Sequence, residues 1–297
     1  MKILLLSGGG AKGSFQAGVI EQLYNSGWKA DVVAGISVGA LNGAMVATGR
    51  AMRLTGLWRN ISPEMVYKER GKLRAGWRYL LHKVGVKRAD LGYYDNSPLF
   101  DTLRVNLGNK YSTDFYCGSV DISTGEYVDH RALKGMVPWN MIDQVVASTA
   151  IPLVFDPVHI GDEVHVDGGV RHMNPISTVL RHYEPSEIVI ITCSPYKRDW
   201  QTERRVTDIV DIAKNSLDIL LGEIFEKDLR EFERINHLVR QANKQGVVLK
   251  NRNGKIYTDY TARLYQPYDS LGDSLNFTPS QAIKNIDLGL KSKPIEL

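Results

Sequence analysis

The chain has 297 residues, 43% of them hydrophobic and 24% charged, which is enough apolar material for a packed core and excludes wholesale disorder. Its formal net charge of +4 permits contact with an anionic surface but falls short of a dedicated nucleic-acid binder, so no nucleic acid is expected as a partner. The two cysteines, Cys117 and Cys193, fit no metal-ligand or redox spacing and read as small buried hydrophobes.

The first apolar run, Ile3-Leu4-Leu5-Leu6, is too short for a secretory signal or a membrane span. No other uninterrupted run is long enough to cross a bilayer, and the sequence predicts a soluble, cytoplasmic protein. Lys2 to Ser7 reads as a buried strand. From Ser14 to Asn25, Phe15, Val19, Ile20 and Leu23 recur at helical spacing and stop at Gly27. Val32-Val33-Ala34 is a second strand, and Val38 to Thr48 a helix of small residues that lets it lie close to a sheet. Strand, helix, strand and helix with short connections predict parallel pairing and an α/β sandwich.

The texture changes from Arg50 to Asn96, where a basic stretch runs from Lys68 to Arg88 around Trp77, Tyr79, Leu80 and Leu81. Two readings stand for it: a solvated surface loop, or peripheral contact with an anionic membrane. Strands are expected over Asp114 to Asp121, Gly125 to Val128 and Val164 to Val166, and a helix over Trp139 to Ser148. Glu187 to Thr192, apolar on both faces, predicts an inner strand. Val206 to Gln245 reads as a helix whose stripe includes Ile212, Leu220, Ile224, Leu229, Phe232, Ile235 and Leu238, packed on the sheet, with a partner-binding or membrane-lying helix as the alternative.

Two glycine-bracketed elements each follow a strand and precede a helix. Gly8, Gly10 and Gly13 satisfy the spacing G-x-G-x-x-G, with Asp31 at a distance that suits a dinucleotide fingerprint. In such a site, however, the acid stands at the carboxyl end of the second strand, whereas Asp31 precedes Val32. A phosphate loop fits less well still, since Ser14-Phe15 stand where Lys-Ser or Lys-Thr is needed. What remains is a loop of unpaired N–H groups aimed at an anion.

The second element, Gly35-Ile36-Ser37-Val38-Gly39, has the spacing of a nucleophile elbow, which leaves a serine hydroxyl exposed at a strand-to-helix turn. A serine needs a base. An α/β-hydrolase would place its serine later in the chain and follow it with an acid and a histidine, and none of the seven histidines is persuasive in that role. His172 lies near Asp167 without a turn to expose it, and His159 and His165 fall in a strand pair. Asp167 ends a strand immediately before Gly168-Gly169, an arrangement that read alone is a turn.

Taken together, these three elements resemble the patatin-like phospholipase family. Gly8-Gly9-Gly10-Ala11-Lys12-Gly13 is similar to its G-G-G-x-[RK]-G motif, Gly35-Ile36-Ser37-Val38-Gly39 to its G-x-S-x-G, and Asp167-Gly168-Gly169 to its D-G-[AG]. Ala147-Ser148-Thr149-Ala150-Ile151-Pro152, with Phe155, Pro157 and Asn174-Pro175, carries weaker echoes. The resemblance implies a three-layer α/β/α sandwich with a mainly parallel central sheet. It divides the chain into a catalytic region over residues 1–181 and a last core strand with a helical extension over 182–297.

It further implies a lipid acyl hydrolase of phospholipase A or lysophospholipase type, with Ser37 as nucleophile, Asp167 as proton acceptor and Gly8, Gly9 and Gly10 as oxyanion donors. Lys12, Gly13, Gly35, Gly39, Gly168 and Gly169 would support the motifs, Lys12 either by reinforcing the site or by pairing at the surface. The substrate would be a phospholipid or other lipid ester, and no metal or cofactor is called for. Two alternatives are a nucleotide-binding protein using the glycine loop and a latent member of the fold gated by a ligand or partner.

Overall fold

The computed structural model describes residues 1–70, 92–196, 206, 209–251 and 254–297. The tryptophan-bearing part of the basic stretch therefore lies outside the described residues. The first four elements are β1 (Lys2–Leu6), α1 (Gly13–Asn25), β2 (Val32–Gly35) and α2 (Val38–Ala47). β1 pairs in parallel with β2, and then α3 (Leu54–Arg59) follows. A two-stranded ribbon, β3 (Lys68–Glu69) with β4 (Tyr94–Asp95), precedes α4 (Ser97–Asn106).

β5 (Asp114–Asp121) and β6 (Tyr127–Ala132) form an antiparallel pair, so the second strand begins two residues later than the sequence suggested. The helix expected from Trp139 divides into a 3₁₀ turn, Pro138–Met141, and α5 (Ile142–Ala147). β7 (Val158–Ile160), β8 (Glu163–Asp167), α6 (Ile176–His182), β9 (Glu187–Ile191), α7 (Ile209–Lys244), β10 (Ala262–Tyr265), α8 (Pro279–Leu290) and β11 (Ile295–Glu296) complete the order.

The main sheet runs β11-β10-β9-β1-β2-β5-β8-β7, with β6 also on β5. Its five inner strands from β10 to β5 are parallel, and antiparallel strands close both ends. Alternation along the strands sends side chains to opposite faces. Leu4, Leu6, Val33, Val189 and Ile191 join the core beneath α1 to α5 and α8, while Ile3, Leu5, Val32, Ile188 and Ile190 pack beneath α6 and α7. Helices on both faces of a mixed, mostly parallel sheet make the α/β sandwich that the sequence predicts. β9 lies between β1 and β10, which puts it inside the sheet as its two apolar faces required.

α1 ends as predicted: Gly27 at φ 82° allows the N–H of Trp28 to donate to the Leu23 carbonyl. Its outer side is covered by α8, which the sequence reading did not identify. Gly18 and Gly289 let the two backbones touch there, for a Cβ on either would come within 2.2 and 2.3 Å of a carbonyl oxygen, those of Ile286 and Phe15. The stripe on α7 needs a larger correction. Leu229 and Phe232 are buried as expected, together with Phe225 and Val239, but Ile212, Leu220 and Leu238 are more than half exposed. A helix of 36 residues outruns the sheet face it covers, so a single periodic stripe cannot be buried along all of it.

α2 crosses the sheet at very short range. A Cβ at Gly39 would stand 2.3 Å from the Leu6 carbonyl oxygen. Gly39→Ala is therefore expected to push α2 off β1, at a cost of roughly 1–3 kcal/mol or more. Urea denaturation would measure it, and an unchanged midpoint would contradict the close contact.

Candidate functional site

β1 and β2 run side by side and end level, with Leu6 opposite Gly35. Both glycine elements therefore leave the sheet from one edge, at the carboxyl ends of adjacent parallel strands, where α/β sheets offer a crevice. The ends are fixed by buried amides. Gln16 Nε2 donates to the Ser7 carbonyl at 2.8 Å, and Asn42 Nδ2 donates to the Gly13 carbonyl at 2.9 Å.

Asp167 reaches the same edge on a strand that runs against the parallel core. β8 is antiparallel to β5, with Asp167 opposite Ser119. β5 extends beyond the end of β2, where Cys117 is level with Gly35, and β8 descends along that extension and stops above the edge. One turn after α5 then braces both groups. The Ser37 N–H donates to Ser148 Oγ at 3.1 Å, and the Asp167 N–H donates to the Ala150 carbonyl at 2.9 Å. This explains physically why Ser148 and Ala150 belong to the motif, a role that the sequence reading did not assign.

Ser37 sits at φ 56° and ψ −129°, a left-handed conformation rare for a residue with a Cβ and a sign of strain held by its surroundings. It stands immediately before Val38, the first residue of α2, as a nucleophile elbow requires. Asp167 is 4% exposed. Burial pushes its carboxyl up from 3.8 to about 7, against smaller opposing effects of the Gly169 N–H, which donates to Oδ1 at 2.7 Å, and of the neighbouring Ser37 hydroxyl.

Gly8, Gly9 and Gly10 line one cleft together with Ser37 and Asp167. Gly9 at φ 152° and Gly10 at φ 59° have the freedom that only glycine offers, and a Cβ on them would strike Cys193 and the Ser274 carbonyl. Among the described residues, none of the three N–H groups donates a hydrogen bond within the protein. The next N–H, that of Ala11, donates to the Ser274 carbonyl at 2.7 Å. Ser274 and Leu275, in the connection before α8, are thus site residues with no motif to announce them.

Lys12 lines the cleft as the sole lysine or arginine among its described lining residues, which also include Asp218 and Glu226 of α7. The supporting glycines are positions of close approach. A Cβ at Gly13 would meet Val38, at Gly35 the Gly39 carbonyl, at Gly168 the Gly118 carbonyl and at Gly169 the Met173 sulfur.

A second cavity adjoins the first and is almost wholly apolar. Val38, Leu41, Met45, Leu99, Leu103 and Phe277 line it, and Trp58 stacks near Phe277 at 6.4 Å between ring centroids. Gly10, Ser37, Ile151 and Leu275 line both spaces. Ser37 therefore stands at the junction of a cleft that carries charged side chains and an almost wholly apolar cavity.

The other candidates separate cleanly. Asp31 accepts the Lys2 N–H at 2.7 Å, at the amino end of β1 and away from the glycine loop. His165 is fully buried between Ser119 and Glu163, and His172 lies 3.5 Å from Asp228. Both cysteines are buried and unbridged. Arg70, from the basic stretch, forms an ion pair with Asp156 instead of facing solvent.

Fold and site define an α/β protein with a serine at a strained strand-to-helix turn and a buried aspartate at the carboxyl edge of its sheet. The chain belongs to the patatin-like phospholipase family, whose sequence model matches residues 4–180. A lysophospholipase from Aspergillus terreus is 28% identical over 175 residues, 56% of this chain and 10% of that protein. A patatin-like phospholipase domain-containing protein of Caenorhabditis elegans is 30% identical over 135 residues, 43% of this chain and 9% of its own length. The chain thus spans about a tenth of these relatives. VipD from Legionella pneumophila, a solved structure, aligns over 97% of this chain and 65% of its own, with 15% identity and a TM-score of 0.46.

Proposed function

We propose that this protein is a lipid acyl hydrolase of lysophospholipase type that works through Ser37 and Asp167. The observation that carries this reading is the position of Ser37 between a cleft that carries Lys12, Asp218 and Glu226 and an almost wholly apolar cavity. A single-chain lipid would place its acyl tail in the cavity, its ester at Ser37 and its headgroup in the cleft. The lysophospholipase relatives support the same substrate class.

In this mechanism Asp167 accepts the Ser37 proton as Oγ attacks the ester carbonyl. The N–H groups of Gly8, Gly9 and Gly10 receive the oxyanion, and each well-placed donor is worth about 3 kcal/mol of barrier. Collapse of the intermediate expels the alcohol, which takes the proton from Asp167. Water then attacks the acyl-enzyme with Asp167 again as base, releasing the fatty acid and restoring the hydroxyl.

Purified protein should release fatty acid from a long-chain lysophospholipid and take a fluorophosphonate label at Ser37. Ser37→Ala should do neither. A wild type that neither hydrolyses the lipid nor takes the label would overturn the proposal.

A further inference from the structure

The turn over residues 151–154 breaks a local rule at the mouth of the cleft. The Val154 N–H donates to the Ile151 carbonyl at 3.1 Å, and Pro152 and Leu153 occupy the two central positions. Leu153 has φ 69°, as in a type II turn, whose third position favours glycine or asparagine. The chain instead carries a leucine there that is 73% exposed. It gains neither packing nor backbone ease from this choice. Such a departure, with no compensation inside the fold, marks a place where function sets the residue.

The surroundings indicate what the leucine meets. Its neighbours Ile151 and Val154 line the cleft beside Ser37, whereas Leu153 is not among the lining residues. Its carbonyl accepts the Tyr93 N–H at 3.0 Å, and Tyr93 is itself 45% exposed. On α7, Asp218, Leu221 and Gly222 line the same cleft, and the two residues between them, Ile219 and Leu220, are 51% and 62% exposed. Two segments that wall the opening therefore each carry bare apolar side chains, with a half-exposed tyrosine beside one of them. Bare apolar side chains on two segments that line the cleft beside Ser37 match the border between water and hydrocarbon, where aliphatic groups insert and tyrosine rests at headgroup level.

We propose that Leu153, held outward by its strained turn, inserts into a lipid surface and seats the cleft mouth on it, with Tyr93, Ile219 and Leu220 completing the contact. The hydrolase reading above enters only through the second of two readouts, the first being physical binding. The rim contact is apolar and the cleft wall on α7 carries Asp218 and Glu226, so attachment should survive high salt.

The test compares wild type with Leu153→Gly and Leu153→Asn, two residues at ease at this φ, and with Leu153→Trp. Binding is read by sedimentation with phosphatidylcholine vesicles containing lysophosphatidylcholine, at low salt and in 0.5 M NaCl, and activity is read on the same vesicles and on a water-soluble butyrate ester. Both small variants should bind vesicles about tenfold more weakly and hydrolyse vesicle lipid correspondingly more slowly, since burying a leucine is worth roughly that factor or more. Their rate on the soluble ester should stay within twofold of wild type, and the Gly variant should melt about 2 °C higher as its turn relaxes. Leu153→Trp should bind at least as well as wild type.

Unchanged vesicle binding in both small variants would overturn the proposal. So would an equal loss on the soluble ester, which would make Leu153 part of the site's shape, or binding abolished by salt, which would assign attachment to the basic stretch. If wild type cleaves neither substrate, the hydrolase reading fails, and sedimentation alone still decides the role of the rim.

Discussion

Replacing Ser37 with glycine is expected to abolish hydrolysis and, at the same time, to make the protein harder to unfold. Loss of the nucleophile should lower kcat by roughly 10⁴–10⁶-fold, the scale seen when a nucleophilic serine is removed. The gain in stability comes from the backbone. A residue with a Cβ at φ 56° and ψ −129° stores about 1–3 kcal/mol, and glycine adopts this conformation without that clash. Against it stands the greater freedom of glycine in the unfolded chain, about 0.4–1 kcal/mol. A net rise of around 1 kcal/mol in urea, together with complete loss of fatty acid release, is the expected pair of results. Ser37→Ala should share the loss without the gain. If glycine instead destabilised the protein by more than alanine does, the elbow would not be strained.

The second large effect concerns Asp167. Burial holds its carboxyl near 7, and only the ionised form can take the Ser37 proton. The kcat/KM for ester cleavage should therefore fall about tenfold per pH unit below 7 and level off above it. Asp167→Asn should cost about 10²–10⁴-fold at pH 8.

The same burial has a signed consequence for stability. An acid whose folded pKa lies above its unfolded value binds its proton more tightly when folded, so stability falls as pH rises from about 4 to about 7. The ionised carboxyl thus costs the folded protein up to roughly 4 kcal/mol at pH 8, and the neutral asparagine avoids that cost. Asp167→Asn is expected to be the more stable protein at pH 8 and nearly equal to wild type at pH 4. Thermal melts across this range would decide it. Equal differences at both ends would mean that the carboxyl is not held neutral by its surroundings.

Much of this site was legible before any coordinates. Strand ends followed by glycines mark positions where the chain must turn or approach another backbone, and that requirement is local. It could be read at Gly8 to Gly13, at Gly35 to Gly39 and at Asp167 to Gly169. The amino-end position of Asp31 was equally local, and its hydrogen bond to the Lys2 N–H bears it out.

Other features are set by partners far apart in the chain. The brace at Ser148 and Ala150 joins residues more than 100 apart in one case and 17 in the other, and neither Ser nor Ala in a helix-ending segment announces such a role. The direction of β8 depends on its pairing with β5. The apolar cavity draws on α2, α3, α4 and the connection before α8, each of which reads as ordinary core. The stripe on α7 misled for a related reason: periodicity reports which face of a helix is apolar, not how far its neighbour extends.

The bond between the Ala11 N–H and the Ser274 carbonyl joins the loop after β1 to the connection before α8, 263 residues later in the chain. Ribosomes make proteins from the amino terminus, so the serine elbow and the aspartate turn emerge well before the segment that shapes the glycine loop. A nascent chain that has not yet reached residue 274 holds Ser37 and Asp167 without that wall. Order of synthesis thus makes residue 274 a condition for the finished glycine loop, and a chain arrested or cut before it would carry Ser37 and Asp167 beside an unbuttressed loop.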